Sequence, residues 1–212
     1  MTSMTVSTSA QFWDRIARKY AAKPISNLPA YEKTLERTRS YLSPTDSVLE
    51  VGCGTASTAL LLAPSVARYT ASDYSSGMVE VGREKATAAQ ANNLSVVQGV
   101  LGDASLGDGP YNAVLAFNLL HLVPDPAGDA RRAYDLLAPG GYFISKSACL
   151  TGWFTLLRPV FSLMRLLGKA PSITYLTVDG LEAMFRDAGF EIVESYSPSG
   201  SDTGRFIVAR KP

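Results

Sequence analysis

The stretch VLEVGCGTASTALLLA, residues 48–63, carries the densest chemical signal in this chain. A short apolar run meets Gly52 and Gly54 and then turns helical, and Asp73 follows about 20 residues on. At the carboxyl edge of a strand, glycines let the backbone approach a ligand closely because no Cβ stands in the way. A helix starting after Thr55 aims free N–H groups and a partial positive charge at the same place. Asp73, ending the next strand, is placed to accept both hydroxyls of a ribose. The chemistry implied is recognition of a ribose-bearing cofactor; the alternative is a tight turn with no ligand. No GxxxxGK[ST] occurs, which excludes the phosphate-cradling loop of nucleotide triphosphatases.

These residues need a sheet to hold them, and the hydrophobic pattern supplies one. SVLEVG, ARYTASD, LSVVQG, YNAVLAFNLL and GYFISKSA read as strands. Between them come helical patterns over 57–64, 76–91 and 127–137, the last stopped by APGG. Continuous Val/Ile/Leu strands alternating with helices indicate an α/β fold: a largely parallel sheet covered on both faces. A helix at 178–188 precedes FEIVESYSPS and GRFIVARKP, two strands with no helix between them, so one of the pair is expected to run antiparallel. Ahead of the sheet, residues 9–22 place Phe12, Trp13, Ile16, Ala17 and Tyr20 on one helical stripe, expected to lie outside the main fold. A second helix is expected over 30–42.

Composition narrows the function. The 212 residues are enough for one domain with a sizeable core. Twenty basic against nineteen acidic residues leave a net charge of +1, which disfavours nucleic acid as a partner. Cys53 and Cys149 are too few and too scattered for a disulfide framework or a zinc site, so no metal is expected and a reducing cytoplasm fits best. No secretory signal is visible, and the apolar stretch 150–168 is interrupted by Arg158, Pro159 and Arg165.

Two cofactors compete for the glycine turn: a nicotinamide dinucleotide, which would make the protein an NAD(P)-dependent oxidoreductase, and S-adenosylmethionine. Ser57 stands where the dinucleotide fingerprint wants a third Gly or Ala, and Glu50 offers a negative charge beside the turn. From about residue 45 onward the chain resembles the class I S-adenosylmethionine-dependent methyltransferases, in a style similar to the ubiquinone- and menaquinone-biosynthesis enzymes. The resemblance implies a Rossmann-like, seven-stranded, mostly parallel sheet with one antiparallel strand near the C-terminus, and S-adenosylhomocysteine as product. VLEVGCGTA looks like the family's glycine loop, with Glu50 holding water or the methionine ammonium and Gly52, Cys53 and Gly54 lining the methionine end. Cys53 itself is expected to pack there without chemistry. ASDYSSGMVEV looks like the segment in which Asp73 takes the ribose hydroxyls while Tyr74 and Met78 lie near the adenosine. VLGDAS is similar to the loop where Asp103 and the Ala104 N–H meet the adenine. In VLAFNLLHLVPD the Asn118 carbonyl would face the methionine ammonium, and Tyr20 resembles the family's lid tyrosine. One departure stands out: Ala56 occupies the usual third glycine.

Methyl transfer is an in-line displacement at an activated carbon, so alignment and exclusion of water matter most and a base is optional. His121, the only histidine, is the candidate base, with a structural loop role as the competing reading. The motif of amino-methyltransferases acting on nucleic-acid bases, Asp or Asn followed by Pro-Pro and an aromatic, is absent, so a small-molecule acceptor is favoured. Residues 151–177 add a nearly continuous apolar surface in which Trp153, Phe154 and Leu157 are candidates for an acceptor pocket. Arg158, Arg165 and Lys169, spaced by seven and four, share a face, so peripheral membrane contact through 151–169 is a further expectation. Burial against the N-terminal helix or a second copy of the chain, as a homodimer, is the plainer alternative. The whole reads as one domain, 1–212, capped by residues 1–42 and 151–177; a protein that binds the cofactor without catalysis is the remaining alternative.

Overall fold

In the computed structural model, residues 2–149, 164, 170–171, 173–200 and 204–212 are described. Val48 and Leu49 are completely buried and Val51 nearly so, because the strand they form is covered on both faces. That strand, β1 (Ser47–Val51), sits at the centre of a sheet with order β3-β2-β1-β4-β5-β7-β6. Its companions are β2 (Arg68–Asp73), β3 (Leu94–Gln98), β4 (Tyr111–Phe117), β5 (Leu137–Ala148), β6 (Glu191–Tyr196) and β7 (Gly204–Arg210). β1 pairs in parallel with both β2 and β4, so the chain reverses its direction of winding at that point. β7 runs antiparallel to both of its neighbours, which fulfils the expectation of one reversed strand.

The helices are α1 (Thr2–Ala21), α2 (Leu28–Arg39), α3 (Ser57–Leu62), α4 (Ser76–Ala88), α5 (Pro126–Leu136) and α6 (Val178–Asp187). Their starts follow the local chemistry: the side chains of Asn27, Ser75, Asp125 and Thr177 each accept a backbone N–H of the first turn. On one face α2, α3 and α4 bury Leu35, Ala59, Leu62 and Val79 against Tyr69, Leu115, Ile144 and Phe206. On the other, α5 and α6 bury Ala130, Ala133, Leu181 and Phe185 against Val114 and Phe143.

Two expectations are corrected. APGG does not separate helix from strand: β5 begins at Leu137, directly after α5. Leu137 pairs with Tyr111, and the next pair along is Ala113 with Tyr142, so residues 138–141 form a bulge inside the strand. Lys211 ties that bulge down at both Gly140 and Gly141, each bond 2.8 Å.

Nor is the N-terminal helix outside the fold. Asp14 of α1 caps α4: its Oδ1 accepts from the Ser75 hydroxyl at 2.6 Å and from the Gly77 N–H at 2.9 Å. A Cβ on Gly77 would lie 3.0 Å from the Asp14 backbone, so the glycine permits the approach. Arg18 adds a forked pair to Glu84 at 2.8 and 3.1 Å. Burial raises the Asp14 pKa, but the bonds from Ser75, Gly77 and Ser76 outweigh it and hold the carboxyl below 3.8. The cap therefore stabilises the fold above that pH and is lost as pH falls through its lower folded value. Asp14→Ala should cost about 1 kcal/mol by urea denaturation at neutral pH; an unchanged midpoint would mean α1 does not rest on α4.

Candidate active site

The sheet reverses its winding between β1 and β4, and the carboxyl ends of the strands at such a point are where open α/β sheets bind ligands. The loop after β1 fills that place with backbone in the left-handed region: φ is +66° at Gly52, +55° at Gly54 and +57° at Ala56. A Cβ on Gly52 would come 2.6 Å from Leu119 Cδ1, whereas one on Gly54 would meet only Tyr20 Cε1 at 3.8 Å. The first glycine thus lies against the end of the Leu119 side chain in backbone that favours glycine, and the second leaves backbone open beneath an aromatic ring. Ala56 is fully buried, and its methyl sits 3.2 Å from where a Cβ on Gly82 of α4 would lie. The alanine in place of the third glycine therefore turns into the helix packing, with Gly82 making room for it.

Asp73 closes the loop. Its Oδ2 accepts the Gly54 N–H and its Oδ1 the Ser75 N–H, both at 2.9 Å. Burial raises its pKa, and the bonds from Ser75 and Gly54 offset part of that rise. Tyr20 lies across the same place, with its ring against Gly54 and edge-on to Trp13 at 5.9 Å. The Tyr20 pKa is raised, first by burial and then by the charge of Asp73. Behind the loop, Lys85 of α4 donates to the hydroxyls of Thr55 at 3.0 Å and Ser57 at 2.9 Å. Lys85 has no signal in the sequence, since 28 residues separate it from Ser57.

The other anticipated residues divide. Glu50 is fully enclosed beneath the loop, accepts the Tyr69 hydroxyl at 2.8 Å, and has its pKa pushed up to about 8 by burial. Cys53 is buried and its thiol pKa is raised, chiefly by burial, in keeping with a packing role. Asp103 folds onto its own turn, accepting the Val100 N–H at 2.9 Å, with Ala104 exposed beside it. Asn118 follows β4 in left-handed backbone at φ +54°. Tyr74 is half-buried, and its carbonyl accepts from Gln98 at 3.1 Å. Met78, expected near the adenosine, is 2% exposed and packs with Ala17 and Val81 where α1 meets α4. Trp153, Phe154, Leu157 and the basic face at 158–169 lie outside the described residues. Among the described residues there is no cluster suited to a metal ion and no helix long and apolar enough to cross a membrane. A shallow groove of about 690 Å³ runs between α4 and β3 along Ser76, Glu80, Arg83 and Gln98, away from the glycine loop.

Residues 13–195 match the model of a family described as a methyltransferase domain. The chain belongs to that family. Among curated relatives, the demethylmenaquinone methyltransferase of Listeria monocytogenes serotype 4a is 29% identical over 174 residues, 73% of each chain. The enzyme of the same name from Symbiobacterium thermophilum is 28% identical over 214 residues, covering 85% of this chain and 83% of the relative. Among solved structures, magnesium protoporphyrin IX methyltransferase of Synechocystis PCC 6803, with bound S-adenosylhomocysteine, aligns over 100% of this chain and 98% of its own. Its TM-score is 0.71 at 21% identity. A Haloferax volcanii methyltransferase, solved in complex with the Trm112 activator, aligns over 94% of this chain and 97% of its own, with a TM-score of 0.75 at 17% identity.

This is a class I, S-adenosylmethionine-dependent methyltransferase, and the dinucleotide alternative is set aside. The loop fits that cofactor: open backbone at Gly54, a carboxylate at Asp73 and an aromatic ring above them meet at the switch point of the sheet. The methyltransferase's only histidine is a poor base as it stands. Burial pushes the His121 pKa down to about 4, and Nδ1 accepts the Ala148 N–H over 3.4 Å, which assigns the remaining proton to Nε2. His121→Gln should therefore leave the affinity for S-adenosylhomocysteine unchanged in calorimetry. A rate inflection near the ordinary histidine value of 6.5 in the parent enzyme would restore the base role.

Proposed function

We propose that this methyltransferase acts on a small, apolar, quinone-like acceptor. S-adenosylmethionine, when bound, supplies a methyl group already activated on a sulfonium. The protein's part is then to hold, orient and dry the site. Gly54 admits the backbone to close contact, Asp73 offers its carboxylate to the ribose hydroxyls, and Tyr20 covers the loop. In this reading Asp103 and the Ala104 N–H face the adenine, the Asn118 carbonyl faces the ammonium, and neutral His121 keeps a donor at Nε2.

The observation that carries the reading is the convergence of Tyr20, Gly54 and Asp73, from three separate elements, on one loop at the switch point. The acceptor class is supported by the named substrate of the curated relatives and by the run of large apolar residues in the sequence after β5, Trp153, Phe154 and Leu157 among them. Labelled methyl from S-adenosylmethionine should enter a demethylated naphthoquinol and extract into organic solvent. Label transferred to polar amines and not to the naphthoquinol would rule the acceptor class out, leaving the methyltransferase assignment standing.

A further inference from the structure

We propose that Lys146 is the residue that anchors the acceptor, its ammonium binding an oxyanion on an otherwise apolar, aromatic molecule. The proposal rests on the reading above and deepens it by giving the acceptor a charge.

The strand register places this lysine. Lys146 of β5 lies directly opposite Phe117, the last residue of β4, and directly opposite Phe206 of β7. Directly opposed residues share a face, so Phe117, Lys146 and Phe206 form one row across the carboxyl rim. Phe117 and Phe206 pack with the core under α2, α3 and α4, which fixes the face. Ala71, Glu50, Leu115 and Ile144 form the row below, on the same face. Asp73 and Lys146 stand two residues beyond Ala71 and Ile144, so they rise to the same level. Three strand spacings separate them, about 14 Å. The interval between lies over β1 and β4, where the glycine loop and Asn118 sit. An ammonium at Lys146 is therefore on the far side of that interval from the ribose-binding acid, where an acceptor has to approach.

Chemistry gives the lysine its task. It is half-buried, and its side chain makes no hydrogen bond or ion pair among the described residues. Residues 150–177, which continue from β5, contain no Asp or Glu. Burial lowers its pKa, as expected of a cation without a partner. Leaving an ammonium unpaired between two phenylalanines costs stability that a Leu or Met would not. An anionic ligand removes that cost, and the partly exposed ring of Phe117 can meet a flat apolar body, Phe206 being fully buried in the core behind it. A phenol, an enol or an aromatic carboxylic acid meets both conditions, and a cation at its oxygen favours the ionised form. The neutral state of His121 fits: with a cation holding the acceptor as its anion, no base is needed beside it.

The test uses the full chain saturated with S-adenosylhomocysteine and two fluorescent probes, 1-hydroxy-2-naphthoate and its neutral amide. The parent protein should bind the carboxylate at least about tenfold more tightly than the amide. Lys146→Met should lose that preference and Lys146→Arg should keep it, while both retain the parent affinity for S-adenosylhomocysteine. Lys146→Gln, read the same way, covers the case of a methionine variant that does not fold. Equal binding of the two probes by the parent, or a preference that survives in Lys146→Met and Lys146→Gln, overturns the assignment. A parent that fails to bind S-adenosylhomocysteine sinks the cofactor reading first and this proposal with it.

Discussion

Asp73→Ala is expected to weaken binding of S-adenosylhomocysteine by roughly 1 to 3 kcal/mol, about fivefold to 150-fold in dissociation constant. The loss has two sources. Two ribose hydroxyls would be left without an acceptor, and the N–H groups of Gly54 and Ser75, each 2.9 Å from the carboxylate, would lose the group that aligns them. Folding stability should respond differently. Burial makes the charge of Asp73 unfavourable in the folded state, so removing it offsets part of what the two lost hydrogen bonds contributed. The expected pattern is a large loss of affinity beside a small shift in melting temperature, the signature of a residue kept for binding at some expense of stability. Asp73→Asn sharpens the test. One amide oxygen can serve one N–H, but its NH2 would face the other, donor against donor. Asparagine should therefore bind the cofactor no better than alanine does. Calorimetry showing parent-like affinity in either variant would remove Asp73 from the site.

The difference between what was legible in the chain and what was not follows sequence distance. Gly52, Gly54 and Asp73 announce themselves because a strand, a turn and a second strand are consecutive, and their spacing is imposed by one βαβ unit. The sheet follows from the same local rule, and the reversed β7 from the lack of a helix before it. Asp14 gave no such signal. It caps a helix more than sixty residues away, and on α1 it reads as one more polar residue of the solvent face. Lys85 and Gly77 are silent for the same reason: their meaning lies in what α4 touches, not in how α4 forms. The APGG stretch shows a local rule overridden. Its residues are turn formers and do turn, but β4 continues alongside, so the turn becomes a bulge within the strand.

Glu50→Gln is expected to stabilise the protein increasingly as pH rises, reaching about 2 to 5 kcal/mol at alkaline pH. Burial pushes the Glu50 pKa from 4.5 to about 8, only partly opposed by the Tyr69 hydroxyl, with the charge of Asp73 adding to the rise. Because the folded value lies above the unfolded one, the favourable contribution is complete below 4.5 and is lost as pH climbs through about 8. The span of 3.5 units (8 minus 4.5) at about 1.4 kcal/mol per unit sets a ceiling near 5 kcal/mol, which relaxation around the carboxylate reduces. Glutamine has the same shape, accepts from Tyr69 and never ionises, so the parent and the variant should have similar urea midpoints at about pH 5 and separate by about pH 9. Midpoints that stay parallel would mean the carboxyl reaches water. The same group links stability to the cofactor. A carboxyl held neutral beneath the glycine loop ionises more readily when a cation arrives beside it. S-adenosylhomocysteine carries an ammonium, so its binding near neutral pH should release protons from the parent and none from Glu50→Gln. Calorimetry in two buffers of different ionisation enthalpy reads that release directly, and equal heats in the parent would place the ammonium away from Glu50.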